Sequence, residues 1–281
     1  MSVSYIAKSY AKINLGLKIF NKRKDGFHNL KSIFIEIDLY DSLSFKPASK
    51  FSLTCSNNDL VTDKSNTIFQ TYFKMKNNFN FRKNYSIHLD KNIPIESGMG
   101  GGSSNAACVI KSLNKLENLN LSKKEMINLA QEIGSDVPFF IDGNIKSIEG
   151  RGEIIYSYKA PILKDLFILL LLPSFSISTK WAFGKIKKDL EHMMNSYKFP
   201  PLDNNIDWEF FKNDFEEVVG TTYPEIYDIK KTLYDNGALY SGLSGSGSTM
   251  FGIYNNNEIL KTAQSKLSKY TSIIAKPIHP Q

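Results

Sequence analysis

The clearest chemistry in this chain lies in residues 94–107, which read PIESGMGGGSSNAA. Within five positions stand the glycines Gly98, Gly100, Gly101 and Gly102. Glycine has no Cβ, so this stretch permits positive φ and lets another group approach the backbone closely. Apolar residues at helical spacing follow at once, which predicts a helix capped by Ser103 or Ser104. A helix N-terminus presents unpaired N–H groups and a positive dipole end, so we predict an anion site, with phosphate as the anion.

A tight turn with no ligand is the alternative interpretation of such a stretch. Two familiar nucleotide signatures do not fit, since the stretch lacks the Gly-Lys-Ser/Thr ending of a P-loop and the Gly-x-Gly-x-x-Gly spacing of a dinucleotide turn. The coincidence of glycines, paired serines and a helix start favours the phosphate site.

The stretch closely resembles the second motif of the GHMP kinases, in which the loop wraps the triphosphate of ATP. The resemblance implies ATP-binding roles for Pro94, Ile95, Glu96, Ser97, Gly98, Met99, Gly100, Gly101, Gly102, Ser103 and Ser104. Glu96 and Ser97 depart from the family, because many relatives carry small residues there. A carboxylate near polyphosphate is repelled unless it points away or helps to hold Mg²⁺. We expect Glu96 to point outward.

The charged residues expected at the transferred phosphate come from two other segments. Residues 12–20 alternate in polarity, which predicts a half-buried strand with Lys12 and Asn14 side by side on its polar face. Residues 11–15 resemble the first family motif, whose lysine lies near the transferred phosphate. The resemblance also implies that Asn14 binds the substrate. Residues 134–140 resemble a family segment whose aspartate is the proposed base, here Asp136, which Lys12 would keep ionised. Without that resemblance, an aspartate at a helix end is typical of a structural residue.

Besides Asn14, four residues are candidates for binding the substrate. Asp25-Gly26 predicts a hairpin turn, after which Phe27 could stack on a base and His28 could bond its edge. The alternative is that Phe27 packs under the turn and His28 is solvated. The equivalent turn in the family grips the cytosine of the substrate, so the resemblance implies that role for Phe27 and His28. By the same resemblance Thr179 and Phe183 approach the cytidine, while the residues alone fit a helix cap and a core position equally well.

Three further features complete the motif set. Asn66 is predicted either to cap a helix at about 65–78 or, by the resemblance, to contact adenine. Residues 242–248 form a second glycine turn that resembles the third family motif, which backs the phosphate loop. A plain hairpin turn would look the same. Residues 213–216 match a family segment that we interpret as mainly structural.

The elements that must position these residues indicate an α+β chain of two domains. A length of 281 residues with 42% hydrophobic residues suits two domains of ordinary size. A buried strand at 166–172 begins a fresh core, so we predict domains at 1–160 and 161–281. Separate strands are predicted at 33–39 and 42–47, and helices at 206–219, 223–236 and 256–269. A capping box at Ser122 and Glu125 predicts the start of a further helix. The resemblance implies the two-domain GHMP kinase fold, with an N-terminal domain shared with a ribosomal protein domain and a ferredoxin-like C-terminal domain.

Composition narrows the class of protein. The net charge of +7 fits an anionic small-molecule substrate as readily as nucleic acid. Because the Lys and Arg residues are scattered along the chain, they favour an ordinary solvated surface over a nucleic-acid-binding patch. Cys55 and Cys108 have no metal-ligand spacing, and neither a signal pattern nor a membrane-length apolar run is present, so a cytoplasmic location is predicted.

The resemblance covers essentially the whole chain and implies ATP-dependent phosphorylation, with Mg²⁺, of the 2-hydroxyl of 4-diphosphocytidyl-2-C-methyl-D-erythritol. That reaction belongs to the non-mevalonate isoprenoid pathway. The alternatives are another GHMP kinase, of the homoserine or mevalonate type, and a nucleic-acid-binding protein. We expect a small-molecule substrate, no nucleic-acid or membrane partner, and a monomer or homodimer.

Overall fold

The computed structural model describes residues 4–186, 194, 196–203 and 206–279. The strands are β1 (Tyr5–Lys22), β2 (His28–Ala48), β3 (Ser52–Cys55), β4 (Asn84–Asp90), β5 (Ile145–Gly150), β6 (Ile154–Ser157), β7 (Phe167–Leu172), β8 (Tyr240–Leu243), β9 (Met250–Tyr254) and β10 (Thr271–Ala275). The α-helices are α1 (Thr67–Phe79), α2 (Gly101–Leu116), α3 (Lys123–Gln131), α4 (Val137–Asp142), α5 (Thr179–Lys185), α6 (Phe215–Thr222), α7 (Glu225–Asp235) and α8 (Asn257–Lys266).

The chain divides into two compact units that share the long strands β1 and β2. The first unit comprises residues 1–11, 39–95 and 100–143. In it, β4 pairs in parallel with β3 and antiparallel with the C-terminal end of β2. Helices α1 to α4 belong to this unit, and the buried side chains of its core include Phe45, Tyr72, Ile87, Val109 and Phe139.

The second unit comprises residues 12–38, 96–99 and 144–281. The N-terminal end of β2 pairs with β5, and β5 pairs with β6. A separate antiparallel sheet has the order β10-β7-β9-β8. Its apolar face packs with helices α5 to α8 around a buried cluster that includes Leu169, Leu171, Phe215, Leu233 and Leu260. This sheet with its helices agrees with the predicted ferredoxin-like layer.

Two predicted elements differ from the structure. The helix predicted at 206–219 is wrong in its first half, because α6 begins at Phe215 and residues 208–210 form a single 3-10 turn. The side chains of Asn213 and Asp214 bond backbone groups elsewhere in the unit, which stops a continuous helix there. Strand β2 is one element of 21 residues, where the sequence predicts two shorter strands.

Strand β1 is buried on both faces through the site region, where the sequence predicts one polar, half-exposed face. Residues 11–17 are all buried. A Cβ added at Gly16 would lie 2.7 Å from a ring carbon of Phe199, so the segment around Phe199 covers the polar face of the strand at Gly16. Lys12 and Asn14 are therefore interior residues, and their polar atoms require partners within the protein.

The division into units does not test the domain boundary at residue 160, which stays a prediction. In the described ranges, no helix combines the length and the apolar character needed to cross a bilayer.

Candidate functional site

The glycine loop leads directly into helix α2, as the sequence predicts, but the helix begins earlier than the serines. Gly100 is the N-cap residue, with a left-handed φ of 71°, and its carbonyl accepts the Ser104 N–H at 2.8 Å. The predicted cap at Ser103 or Ser104 is wrong, because glycine adopts this left-handed φ without a steric cost. The N–H groups of Gly101, Gly102 and Ser103 have no partner within the helix. Unpartnered N–H groups at a helix start are the kind of donors that the predicted anion site needs.

The two serines of the loop have different surroundings. The Ser104 side chain is buried, and its Oγ accepts a hydrogen bond from Ser9 Oγ at 2.7 Å. Ser9 Oγ also lies 2.8 Å from the amide oxygen of the buried Asn105. Ser103 is half-buried and Gly102 is exposed. Ser103 and the backbone of Gly102 are thus open to a ligand, while Ser104 anchors α2 to β1.

A buried ion pair between Lys91 and Asp41 fixes the segment that precedes the glycine loop. The sequence does not predict this pair. Lys91 Nζ lies 2.8 Å from the Asp41 carboxylate, and both side chains are buried. The other Asp41 oxygen accepts the N–H groups of Asn92 and Ile93, each at 2.8 Å. Burial lowers the pKa of Lys91, and the Asp41 carboxylate opposes that shift. The pair fixes residues 91–93 just before Pro94. Fifty positions separate the two partners, and no local pattern links them.

Asn66 caps helix α1, which is the structural one of its two predicted roles. Its side-chain oxygen accepts the Ile68 N–H at 2.9 Å, and its amide nitrogen donates to Val61 O at 2.8 Å. The next residue, Thr67, donates from its hydroxyl to Gly102 O at 3.0 Å. Asn66 therefore lies beside the start of α2, and its contact with adenine stays a prediction.

Glu96 is exposed, in agreement with the expectation that it points outward. Its backbone has a φ of 52°, in the left-handed region. This conformation costs a residue with a Cβ about 1–2 kcal/mol. Glycine at this position would avoid that cost.

We expect Glu96→Gly to raise the free energy of unfolding by about 1 kcal/mol, since the relieved strain exceeds the roughly 0.5–1 kcal/mol entropic cost of glycine. Urea unfolding checks this as a higher midpoint at an unchanged slope. Glu96→Ala is the matched control, because it removes the carboxylate and keeps the Cβ. An equal gain in both variants would assign the effect to charge and contradict the backbone explanation.

Residues 96–99 belong to the second unit, where they pack against the second glycine turn. Gly98 has a φ of 77°, and a Cβ there would lie 2.2 Å from Ser244 O. The Gly98 carbonyl accepts two hydrogen bonds, from Ser244 Oγ and from Lys12 Nζ, each at 3.0 Å. The Thr249 N–H donates to Ser97 O at 3.2 Å. The two glycine-rich segments are thus in backbone contact, which leaves no room for a Cβ at Gly98.

The Lys12 ammonium is held in place by this contact and by its own strand. It donates to Asn14 Oδ1 at 2.5 Å and lies 4.6 Å from the centre of the Phe34 ring. Its backbone N–H donates to Met99 O at 3.0 Å. Asn14 in turn donates to Ser32 Oγ at 3.0 Å. The structure therefore brings Lys12, Asn14 and the loop residues 98–99 together.

Asp136 stands immediately before helix α4, at its N-cap position, and is half-buried. Pro138 lies in the first turn of that helix, where a missing N–H and a fixed φ are compatible with a helix start. Asp136 belongs to the first unit and Lys12 to the second. Their predicted pairing stays a proposal.

The aromatic residues predicted for the substrate lie in the second unit. Phe27 is 48% exposed at the β1–β2 turn, and the Arg151 guanidinium lies 5.2 Å from its ring centre. His28 stacks on Phe183, with ring centres 5.4 Å apart and planes 15° apart. Burial and the nearby Lys22 cation lower the pKa of His28, which favours the neutral imidazole. Phe27 is therefore open to solvent, which the alternative of packing under the turn does not predict.

Thr179 contacts the second glycine turn and lies in the same helix, α5, as Phe183, which stacks on His28. The cap of α5 is Ser178, so Thr179 is not the capping residue. Its hydroxyl lies 3.0 Å from Ser246 Oγ. Phe183, four positions later, is half-buried and packs edge-on against Phe215 at 4.9 Å. The structure thus places Thr179, Phe183 and His28 in one region of the second unit.

Comparison with known proteins defines the class of this chain. The model of the GHMP kinases N terminal domain matches residues 66–144, and that of the GHMP kinases C terminal domain matches residues 201–272. The first match includes Asn66, the glycine loop and Asp136, and the second includes the second glycine turn. The chain belongs to the GHMP kinase family.

Two curated relatives are more specific. The 4-diphosphocytidyl-2-C-methyl-D-erythritol kinase of Thermodesulfovibrio yellowstonii is 37% identical, over 94% of this chain and 93% of the relative. The enzyme with the same name from Prosthecochloris aestuarii is 36% identical, over 94% of each chain.

Solved structures confirm the two-domain GHMP kinase fold. The crystal structure of a 4-(cytidine 5'-diphospho)-2C-methyl-D-erythritol kinase matches with a TM-score of 0.79 at 24% identity, over 98% of this chain and all of the other. A mevalonate kinase from Methanococcus jannaschii matches with a TM-score of 0.74 at 16% identity, over 99% of each chain.

Proposed function

We propose that this protein transfers the γ-phosphoryl group of ATP to the 2-hydroxyl of 4-diphosphocytidyl-2-C-methyl-D-erythritol, a step of non-mevalonate isoprenoid biosynthesis. The observation that carries the proposal is the open N-terminus of α2 behind a glycine loop in a chain 37% identical to a kinase named for that substrate. Phosphoryl transfer depends mostly on positioning and on charge neutralisation, which rigid loops and a fixed cation supply.

The residues present suit a nucleotide polyphosphate. Free N–H groups at a helix start bind phosphate oxygens, and the exposed Gly102 leaves the backbone accessible. Pro94 and Ile95 would lead into this cradle, with Glu96 directed to solvent. In the part of the chain that the structure describes, no cluster of three or more His, Cys, Asp or Glu side chains could hold a metal. Mg²⁺, held mainly by phosphates and water, would neutralise charge on the polyphosphate when bound.

Two charged residues would act at the transferred group. Lys12 would donate hydrogen bonds to the moving phosphoryl from an ammonium already fixed by Gly98 O and Asn14 Oδ1. Preorganised donors stabilise developing charge without reorganisation at the moment of reaction. Asp136 would accept the proton of the acceptor hydroxyl as general base.

The identity of the acceptor alcohol is the more specific part of the proposal. The exposed face of Phe27 offers a stacking surface for a cytosine, and neutral His28 can bond a base edge. An alcohol without a base, such as homoserine or mevalonate, would leave this aromatic surface unused. A nucleic-acid-binding role has little support, because the chain's relatives over most of its length are small-molecule kinases. The cytoplasmic location remains the expectation for such a biosynthetic enzyme.

A coupled assay of ADP release tests the proposal. Purified protein is offered ATP and Mg²⁺ with the diphosphocytidyl alcohol, with homoserine or with mevalonate, each in turn. We expect turnover with the first and background rates with the other two. Preferential turnover of homoserine or mevalonate would replace the proposed acceptor.

We expect Phe27→Leu to raise KM for the diphosphocytidyl alcohol at least about five-fold, since base–aromatic stacking contributes roughly 1–3 kcal/mol per base. KM for ATP should stay at the wild-type value. Phe27→Tyr, which retains the ring, is the matched control and should keep the wild-type KM for the alcohol. Equal losses in both variants would show that the ring face does not bind the base.

A further inference from the structure

We propose that Asn213 is a positioning residue for phosphoryl transfer, acting through the second glycine turn, residues 242–248, on the Lys12 ammonium. The inference rests on the proposed function and assigns a role to a segment that the sequence predicts to be mainly structural. All the residues involved belong to the second unit.

The Asn213 amide holds the second glycine turn directly. Its side chain is 3% exposed. The Nδ2 group donates to Leu243 O at 2.7 Å and to Gly245 O at 2.8 Å. The Oδ1 atom accepts the N–H of Phe215 at 3.0 Å. Both donor hydrogens of the amide are therefore used on carbonyls of the turn, and its oxygen fixes the amide to the start of α6.

The segment that carries Asn213 is itself fixed to the strand that carries Lys12. The Leu17 N–H donates to Lys212 O at 3.0 Å, and the Asp214 N–H donates to Leu17 O at 2.8 Å. On its other side, Glu216 accepts the Leu243 N–H at 3.1 Å. Residues 212–216 thus connect β1 to both polar backbone groups of Leu243.

The turn that Asn213 holds lies against the Lys12 ammonium. Ser244 Oγ and Lys12 Nζ donate to the same acceptor, Gly98 O, each at 3.0 Å. A Cβ added at Gly245 would lie 3.6 Å from Lys12 Nζ and 3.5 Å from Asn14 Oδ1. A shift of the turn by a fraction of an ångström would therefore change the position of the ammonium or of its acceptor.

An aspartate at this position has the size of asparagine and lacks both donors. Asn213→Asp would keep an acceptor for the Phe215 N–H and would place carboxylate oxygens against the carbonyls of Leu243 and Gly245. Buried acceptors facing each other without a proton repel, so the turn must move. A displacement of about 1 Å in a positioning element costs on the order of 100-fold in rate. The loss should fall on kcat, because Lys12 acts on the moving phosphoryl group.

The experiment compares Asn213→Asp with Tyr240→Phe in the full-length protein. Tyr240 is also buried, and its hydroxyl donates to a backbone carbonyl of the neighbouring segment, Phe211 O, at 2.6 Å. Its loss removes a buried hydrogen bond without touching a carbonyl of the turn. For each variant, kcat and both KM values are measured beside the urea unfolding midpoint.

We expect Asn213→Asp to be folded, with kcat lowered about 100-fold and both KM values near wild type. Tyr240→Phe should lose stability and keep the wild-type kcat. A wild-type kcat in folded Asn213→Asp, or equal losses of kcat in both variants, would overturn the proposal. If Asn213→Asp does not fold, Asn213→Ser carries the same test, and failure of both to fold would show that Asn213 is purely structural.

The wild-type control separates this inference from the proposed function. If wild type does not turn over the diphosphocytidyl alcohol, the proposed acceptor is wrong. The ratio of variant to wild-type kcat is then measured with whichever alcohol of the panel is accepted, so the role of Asn213 is tested independently.

Discussion

Asp136→Asn is expected to lower kcat by about 10²–10⁴-fold, the usual contribution of a positioned general base. Asparagine matches aspartate in shape and cannot accept a proton from the acceptor hydroxyl at neutral pH. KM for ATP should change little, because the nucleotide phosphates are assigned to the glycine loop. Steady-state kinetics with the accepted alcohol measure both quantities.

The control for this substitution is Asp142→Asn, at the other end of helix α4. Asp142 forms an ion pair with Lys123 at 2.5 Å. Removing the Asp142 charge tests whether any loss of negative charge on this helix is enough to lower kcat. We expect Asp142→Asn to keep the wild-type kcat. The acidic limb of the pH–rate profile, which reports an essential base, should disappear in Asp136→Asn alone. Near-normal turnover of folded Asp136→Asn would remove Asp136 as the base.

Lys12→Met is expected to lower kcat by about 10²–10³-fold, the cost of removing one preorganised donor from a site of developing charge. Methionine fills much of the same volume, so packing against the Phe34 ring is largely kept. Gly98 O retains its second donor, Ser244 Oγ, and stays satisfied. Asn14 Oδ1 loses its donor from Lys12, which should cost about 1–3 kcal/mol of stability. The variant should therefore fold and be inactive.

Lys31→Met is the matched control, since Lys31 is a second buried lysine of the same unit. Its ammonium donates to Tyr197 O at 3.0 Å and lies 3.2 Å from the Glu149 carboxylate. Its replacement breaks an ion pair with the half-buried Glu149 and should lower the unfolding midpoint while kcat stays near wild type. If Lys31→Met and Lys12→Met lose activity in parallel with stability, the special role of Lys12 is excluded.

Much of the candidate site can be predicted from the sequence, because the conformation of its glycine loop and turns depends on residues that are close together in the chain. The glycines of residues 98–102 remove Cβ atoms from a short loop, and the apolar spacing after them defines α2. The turn at Asp25-Gly26 likewise places Phe27 at a hairpin tip, where it is exposed. The capping box at Ser122 and Glu125 forms as expected. In each case neighbours within a few positions decide the conformation.

Local propensity fails where distant groups compete for the same backbone. Serine is a favoured cap, yet α2 begins at Gly101, because Gly100 accepts the left-handed conformation that the loop needs. The sequence predicts a helix from residue 206, but Asn213 and Asp214 bond the second glycine turn and β1 instead. The Asn213 side chain pairs with Leu243 O, and the Asp214 side chain pairs with the Ile19 N–H. A helix over 206–214 would leave these buried backbone groups without partners.

The sequence by itself was enough to identify the family and the order of its motifs, and to predict an anion site at the glycine loop. Tertiary structure decided how the site is held. Gly98 O accepts from Ser244, 146 positions away, and Lys91 reaches Asp41 across 50 positions. Lys12 is interior because Gly98 and the second glycine turn at Gly245 lie against its ammonium. Such contacts depend on which surfaces the folded chain buries together, and a buried polar group takes whatever partner that burial supplies. The glycine loop is therefore recognisable in the sequence, while its fixed geometry belongs to the fold.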